Sequence, residues 1–194
     1  MELLISGIVL FFGTHLFSAF RSRAPGQDLK AKLGYGPYMG LYSLVSIVGF
    51  VLIVMGFDAM RPAHPLYTPP VWGRHLNYIL MPAALVVLVT AYLPAGHIKK
   101  TLKHPMLVAV KLWALGHLLA NGEVNSVILF GSFLVFAVID RIAVKRRGDN
   151  GPPAGTIASP IADIGAVVIG LGLSAAIILW LHPTLFGAVI WPPS

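Results

Sequence analysis

The sequence predicts an all-α fold, a polytopic membrane bundle of about six transmembrane helices with both termini on the non-cytoplasmic side. Hydrophobic residues make up 57% of the 194 residues, and only 11% are charged. The mean hydropathy is +0.81. Soluble domains average about 25% charged residues, so this chain lacks the polar groups that coat a water-facing globule. The composition argues against a soluble enzyme and against a soluble nucleic-acid-binding protein.

Six segments are apolar enough, at roughly 20 residues each, to cross a bilayer. They are Glu2–Phe20, Tyr38–Met60, Gly73–Leu93, Pro105–Asn121, Val124–Ala143 and Ile164–Val189. Together they account for well over half of the chain, so residues 1–194 are expected to form a single transmembrane domain. Between the last two segments, Gly148–Ser159 is rich in Gly and Pro and predicts a flexible connection.

Lysine and arginine lie mainly on one side of the predicted membrane, which orients the chain. Eleven basic residues flank the segments on this side: Arg21, Arg23, Lys30, Lys32, Lys99, Lys100, Lys103, Arg141, Lys145, Arg146 and Arg147. The opposite side has Arg61 and Arg74, and Lys111 lies inside the fourth segment. The basic side should be cytoplasmic, so both termini should face outward. Basic residues at the cytoplasmic surface of a lipid bilayer account for the net charge of +7, so the charge does not indicate a nucleic-acid partner.

The chain contains no cysteine, which limits the cofactors it can hold. Disulfides, iron–sulfur clusters, thiolate-ligated haem and covalently attached haem are excluded. Zinc needs three or four ligands, and none of the seven acidic residues lies in the middle of a predicted span. Haem needs only one or two axial ligands, so non-covalent haem fits this scarcity of polar groups best.

Two of the seven histidines, His15 and His117, lie well inside apolar segments. The other five are at or near predicted helix ends, where an imidazole needs no special role: His64, His75, His97, His104 and His182. An ionisable group within an apolar helix is costly, which makes each of the two inner histidines a candidate functional residue.

Mostly small residues lie beside both inner histidines at helical spacing. Around His15 they are Gly7, Phe11, Ser18 and Ser22, and around His117 they are Ala109, Trp113, Ala114, Ala120 and Asn121. Such faces leave space for a flat macrocycle held by imidazole nitrogens. They are equally typical of helices that pack closely, with each histidine hydrogen-bonded across the interface. The pattern alone leaves both interpretations open.

Lys111 and His104 are two further candidates near the cytoplasmic edge of the fourth segment. Lys111 lies about 9 Å along the helix from Pro105, so it either snorkels to the interface or pairs with a haem propionate. His15 and His117 differ by about 6–10 Å in expected depth, which a tilted haem or helix can absorb. Without such a tilt, His104 is the rival iron ligand.

Two sequence motifs carry a resemblance to a known family. They are Phe12-Gly13-Thr14-His15, and Lys103-His104-Pro105 followed by Lys111-Leu112-Trp113-Ala114-Leu115-Gly116-His117-Leu118-Leu119-Ala120-Asn121-Gly122. The chain resembles the NnrU family, bacterial membrane proteins associated with denitrification and related to 15-cis-zeta-carotene isomerase, a haem b membrane enzyme. The resemblance implies a multi-pass protein of the bacterial inner membrane. It also implies haem b held by His15 and His117, with Lys111, Trp113 and Ala114 at the same site.

The resemblance leaves the reaction open, and no catalytic residue is assigned. If the protein is an enzyme, the related isomerase implies haem-dependent cis–trans isomerisation of a lipophilic polyene. That isomerase carries a cysteine where this chain has Ala114, so an identical mechanism is not expected. Otherwise the haem would serve nitric oxide or nitrite metabolism. One alternative is a membrane methyltransferase that uses S-adenosylmethionine. Lys103-His104-Pro105 suggests it, but this chain has no glutamate after Glu123, where those enzymes usually carry a pair. The other alternative is a cofactor-free assembly factor.

Overall fold

The computed structural model describes residues 1–188 and Ile190. The described residues are helical with short connections and contain no β-strand, apart from one isolated bridge between Pro65 and Glu123. The helices are α1 (Glu2–Phe20), α2 (Leu29–Leu33), α3 (Tyr35–Asp58), α4 (Val71–Tyr92), α5 (His97–Leu102), α6 (Pro105–Ala120), α7 (Val124–Arg146), α8 (Pro160–Ala176) and α9 (His182–Phe186), with a π-helical segment at Ile177–Leu181 between the last two.

Five helical stretches among the described residues are long and apolar enough to cross a membrane. They are α1, α3, α4, α7 and the continuous stretch Pro160–Phe186. The sixth predicted span corresponds to α6, which is apolar but has only 16 residues. Its length of about 24 Å falls short of the hydrocarbon core of about 30 Å. The predicted all-α, multi-pass membrane fold is confirmed.

Three spans begin earlier than predicted: α4 starts at Val71, not Gly73, and α3 and α8 each have a proline in the first turn, where proline is accepted. Helix α3 starts at Tyr35, not Tyr38, with Pro37 in its first turn. Helix α8 starts at Pro160, not Ile164, and the Ser159 hydroxyl caps it by accepting a hydrogen bond from the Ala162 N–H. The predicted end of this last span, Val189, lies outside the described residues.

The π-helical segment Ile177–Leu181 lies directly before Pro183. Proline has no backbone N–H and its ring clashes with the carbonyl one turn earlier, so a regular α-helix cannot run through it unchanged. A local change of hydrogen-bond register is one way in which a helix accommodates such a break.

The chain divides into two compact units. Unit 1 comprises Met1–Pro69 and Asn121–Gly148, and in it α1 packs against both α3 and α7. The α1–α3 crossing is close because glycines lie at it. A Cβ atom added at Gly7 would lie 2.6 Å from the Ile53 nitrogen and 2.8 Å from the Gly49 oxygen. Small residues of this kind let transmembrane helices approach backbone to backbone.

Residues 61–69 of unit 1 are tied to the short turn that precedes α7. The Leu66 N–H donates to the Gly122 oxygen (2.8 Å), and the Val124 N–H donates to the His64 oxygen (2.9 Å). The Tyr67 hydroxyl donates to the Asn121 oxygen (2.9 Å). Burial, and then the nearby carboxylate of Glu123, raise the pKa of Tyr67, so the phenol keeps its proton and its hydrogen bond at neutral pH.

Unit 2 comprises Pro70–Ala120 and the described part of Asp149–Ser194, and in it α4 packs against α6 and α8. Glycine again marks the close approaches. A Cβ atom added at Gly170 of α8 would lie 2.5 Å from the Val86 Cα atom of α4. On the other side of α4, Gly116 of α6 faces the Asn77 and Met81 side chains.

A carboxylate of α8 caps the short helix α5 within unit 2. The two carboxylate oxygens of Asp163 accept hydrogen bonds from the backbone N–H groups of His97 (2.7 Å) and Ile98 (3.1 Å). The Lys99 ammonium group donates to the Ala91 and Leu93 carbonyl oxygens at the end of α4 (2.9 Å each). These contacts fix the basic segment between α4 and α6.

The stretch before α8 is tethered, in contrast to the flexible connection that its Gly and Pro content predicts. Three hydrogen bonds hold residues 149–159 to the rest of unit 2: Lys100 Nζ to the Thr156 oxygen, His104 Nε2 to the Asp149 oxygen, and the Ser159 N–H to the Ala95 oxygen. Gly151 lies against Lys103, where an added Cβ atom would be 2.7 Å from the Lys103 oxygen. Composition indicated the turns but not these tertiary contacts.

The number of membrane crossings decides on which side of the bilayer the C-terminus lies, and this number depends on whether the short helix α6 crosses. The excess of basic residues on one face predicts six crossings and an outer C-terminus. A periplasm-dependent reporter such as alkaline phosphatase, fused after Ser194, should therefore be active. Activity only of a cytoplasm-dependent reporter at the same position would contradict six crossings with both termini outside.

Candidate functional site

His15 lies half-buried in α1 of unit 1, with its ring held by its own helix. Its Nδ1 atom is 2.7 Å from the backbone oxygen of Phe11, one turn earlier. A carbonyl oxygen can only accept a hydrogen bond, so Nδ1 carries the proton and donates it. The neutral ring then has its lone pair on Nε2, which is the arrangement that metal-ligating histidines adopt when a carbonyl orients them.

Three aromatic rings from three helices surround the imidazole of His15. The ring centroids of Phe11, Tyr42 and Phe136 lie 4.2, 5.2 and 5.8 Å from the His15 centroid. Phe136 also packs against Phe12 at 4.9 Å, which extends the cluster along α1. Sequence reasoning found Phe11, one turn from His15, but missed Tyr42 and Phe136, since helical spacing within one segment gives no information about neighbours on other helices.

His117 has the same local geometry in α6 of unit 2. Its Nδ1 atom is 2.8 Å from the backbone oxygen of Trp113, one turn earlier, so the proton is again on Nδ1 and the lone pair on Nε2. The Trp113 ring lies beside the imidazole, with centroids 5.1 Å apart and planes inclined at 53°. Both residues are half-buried. The two inner histidines thus share one arrangement: an aromatic residue, then a histidine four positions later that donates to its carbonyl.

The small residues near both histidines are used for helix packing. Ala109 and Ala114 of α6 are 3% and 0% exposed, and Gly7 of α1 lies against the α3 backbone. At these positions the structure agrees with the interpretation of close helix packing. The two imidazoles, and not an open face of small residues, therefore provide the chemistry of the candidate site.

The motif Lys103-His104-Pro105 builds the turn between α5 and α6. Lys103 has a φ of 64°, a left-handed conformation that few non-glycine residues adopt. Pro105 is the first residue of α6. His104 Nε2 donates to the Asp149 oxygen (3.0 Å), and the carboxylate of Asp149 is 3.8 Å from the same nitrogen. His104 thus ties this turn to the following connection, while Lys111 lies half-buried farther along α6.

Among residues 1–188 and Ile190, no group of three or more His, Cys, Asp or Glu side chains is arranged to hold a metal ion. His15 lies among the rings of Phe11, Tyr42 and Phe136, and His117 lies beside the Trp113 ring, with the His182 imidazole close enough to act on it electrostatically. One or two such imidazoles are what the axial positions of haem iron require, so the donors present fit that group.

The fold and the candidate site define an all-helical, multi-pass membrane protein with oriented histidines inside two of its apolar helices. A family model described as NnrU protein matches residues 3–190. The match covers nearly the whole chain, so this protein belongs to the NnrU family, as its motifs predicted. It is a membrane protein of a family linked to denitrification. No curated protein and no solved structure matches the chain.

Proposed function

We propose that this protein is a haem b-binding member of the NnrU family, with His15 and His117 as the iron ligands. Its role is in nitric oxide or nitrite metabolism at the bacterial inner membrane. The observation that carries the proposal is the geometry shared by the two histidines, each of which donates from Nδ1 to the carbonyl oxygen one turn earlier. That hydrogen bond selects the tautomer in which Nε2 can bind iron.

The neighbouring rings support this assignment. Phe11, Tyr42 and Phe136 pack around the His15 imidazole, and Trp113 packs beside that of His117. Rings held in this way lose little rotational freedom when they bind, which favours a preorganised ligand. A macrocycle at these positions would also meet aromatic surface, with which its flat apolar faces are compatible.

The chemistry of the proposed site follows from its donor set. With no cysteine in the chain, haem attachment is non-covalent and thiolate ligation cannot occur in any oxidation state. If one of the two histidines leaves the iron, the haem would supply reversible binding of nitric oxide at that position. Lys111, half-buried in α6, is proposed to pair with a propionate. Ala114, in place of the thiol of the related isomerase, favours a role with nitric oxide over an identical isomerase reaction.

The pyridine haemochromogen assay on detergent-purified protein from haem-replete cells tests the proposal. The expected result is a b-type spectrum with about one haem per chain. Reduced-minus-oxidised spectra, recorded before and after adding nitric oxide, should then show a change on binding. A colourless preparation would contradict the proposal and favour a cofactor-free assembly protein.

A variant of His104 separates the proposed ligands from the rival one. Because His104 Nε2 is already engaged by the Asp149 oxygen, His104→Ala should loosen the turn before α6 and leave the haem content near that of the wild type. The stability cost should be about 1 kcal/mol, the usual contribution of one hydrogen bond. Haem content per protein is the measurement. Complete loss of haem in this variant would move the ligand assignment from His117 to His104.

A further inference from the structure

A groove in unit 1 is bounded by α1, α2 and α3; His15 does not line it, although Tyr42 lines the groove and also contacts the His15 ring. The volume of the groove is about 380 Å³. The lining is almost entirely apolar and includes Val9, Gly13, Phe17, Leu29, Leu33 and Tyr38. An apolar recess on a membrane protein is a place where a hydrocarbon chain can lie against the protein.

The direction of the groove is set by the helices that line it. The lining positions on α1 extend from Val9 to Phe17, about 12 Å along the helix axis. At the cytoplasmic end, Leu29 and Leu33 of α2 close the groove. They are four positions apart in sequence and therefore lie on the same face of this short helix. Nothing lies within 4 Å of a Cβ atom built at Gly13, so the groove is open at the middle of α1. It runs from the cytoplasmic interface towards the centre of the bilayer, as an acyl chain does.

Two buried donors at the cytoplasmic end have no partner among the described residues. Tyr38 is only 6% exposed, yet its hydroxyl makes no hydrogen bond, and the same holds for Arg21 Nε. The two side chains are neighbours, with the Arg21 guanidinium 5.6 Å from the Tyr38 ring centroid. Buried polar groups are nearly always satisfied, so a pair of unsatisfied donors beside a groove indicates an acceptor that is not part of this chain.

The charge around this end indicates that the acceptor is anionic. Arg21 Nη1 is already paired with Asp28 Oδ1 at 2.5 Å. Desolvation raises the pKa of Asp28, but the hydrogen bond from the Lys30 N–H and the hydrogen bond and charge of Arg21 lower it more. The pKa of Asp28 is therefore below its usual value, and the Arg21–Asp28 pair is ionised at neutral pH. Within residues 21–32, the carboxylate of Asp28 is outnumbered by four cations, namely Arg21, Arg23, Lys30 and Lys32, while the nearby Asp140 carboxylate acts on Tyr42. A basic cluster at a cytoplasmic interface attracts anionic headgroups.

We propose that this groove binds one anionic glycerophospholipid of the cytoplasmic leaflet. An acyl chain lies along α1 between Gly13 and Leu33. The ester and phosphate oxygens accept hydrogen bonds from the Tyr38 hydroxyl and Arg21 Nε, and the headgroup lies near Lys30 and Lys32. A hydrocarbon polyene has no oxygen for the two unsatisfied donors, so it explains the apolar lining but not the polar end.

The test counts retained lipid by native mass spectrometry of detergent-purified, full-length protein incubated with phosphatidylglycerol or with phosphatidylcholine of the same acyl chains. The wild type should retain one phosphatidylglycerol, about tenfold more tightly than phosphatidylcholine, because the choline cation of phosphatidylcholine offsets the attraction of its phosphate to Lys30 and Lys32. Gly13→Leu fills the groove and should lower retention by tenfold or more. Tyr38→Phe should weaken it severalfold.

Matched variants separate the groove from a general effect of the substitutions. Gly131→Leu places the same side chain on α7, also at a glycine with open space, and should retain lipid like the wild type. Lys30→Gln combined with Lys32→Gln should keep lipid bound but remove the preference for phosphatidylglycerol. Equal retention by the wild type and Gly13→Leu, equal retention of the two lipids, or recovery of a polyene displaced by Gly13→Leu would each overturn the proposal.

Discussion

Replacing His15 or His117 by alanine is expected to remove haem from the purified protein or to leave it high-spin and open to added ligands. Each substitution deletes the only imidazole that its helix places inside an apolar segment with Nδ1 tied to the preceding turn. Loss of an axial ligand lowers the coordination number of the iron, and with no cysteine in the chain no thiolate can replace it. The haem content and the optical spectrum of each variant are the measurements.

Exposed histidines of the same two units are the matched controls for this experiment. His64→Ala in unit 1 and His75→Ala in unit 2 remove an imidazole that lies on the surface. Both should retain haem in the amount and the spin state of the wild type. Full low-spin haem in both His15→Ala and His117→Ala would show that the proposed ligation is wrong.

Gly7→Leu is expected to destabilise the protein strongly, because it forces α1 and α3 apart. A Cβ atom at this position would lie 2.6–2.9 Å from three backbone atoms of α3. The α3 backbone cannot rotate away as a side chain can, so α1 and α3 must separate and lose part of their packing. The expected cost is about 3 kcal/mol, at the upper end for overpacking. It should appear as a marked fall in the midpoint of thermal unfolding, followed by helical circular dichroism in detergent.

Gly131→Leu is again the control, since a Cβ atom built there meets nothing within 4 Å. Its unfolding midpoint should stay near that of the wild type, because an open surface position costs at most about 0.5 kcal/mol. Unfolding midpoints for Gly7→Leu and Gly131→Leu that are the same would contradict the close α1–α3 crossing.

The apolar segments were predictable from the sequence because hydrophobicity and length determine which stretches can cross a bilayer. The boundaries of α1 were predicted to the residue, whereas α3 and α8 begin earlier than predicted, with Pro37 and Pro160 in their first turns, and α3 ends at Asp58, not Met60. The short helices α2 and α5 were not predicted. Five or six residues are too few to show helical periodicity, and α5 depends on Asp163, a cap that lies 66 residues away from His97.

The inner histidines were predictable for the same reason, since an ionisable residue in an apolar run is conspicuous. Their orientation was not, because it depends on the side-chain torsions that bring Nδ1 to the Phe11 and Trp113 oxygens. The unsatisfied Tyr38 hydroxyl was also beyond sequence reasoning. Tyr38 was predicted simply as the first residue of a span, and only the packing of α1 against α3 shows that it is buried without a partner.

His15 and His117 are proposed to bind haem b, and the electron paramagnetic resonance spectrum of the oxidised wild-type protein tests this ligation most directly. Two neutral imidazoles on one iron give six-coordinate ferric haem. The predicted result is therefore a low-spin signal that accounts for all the haem found by the pyridine haemochromogen assay. A predominantly high-spin signal, or protein without haem from haem-replete cells, would contradict this ligation.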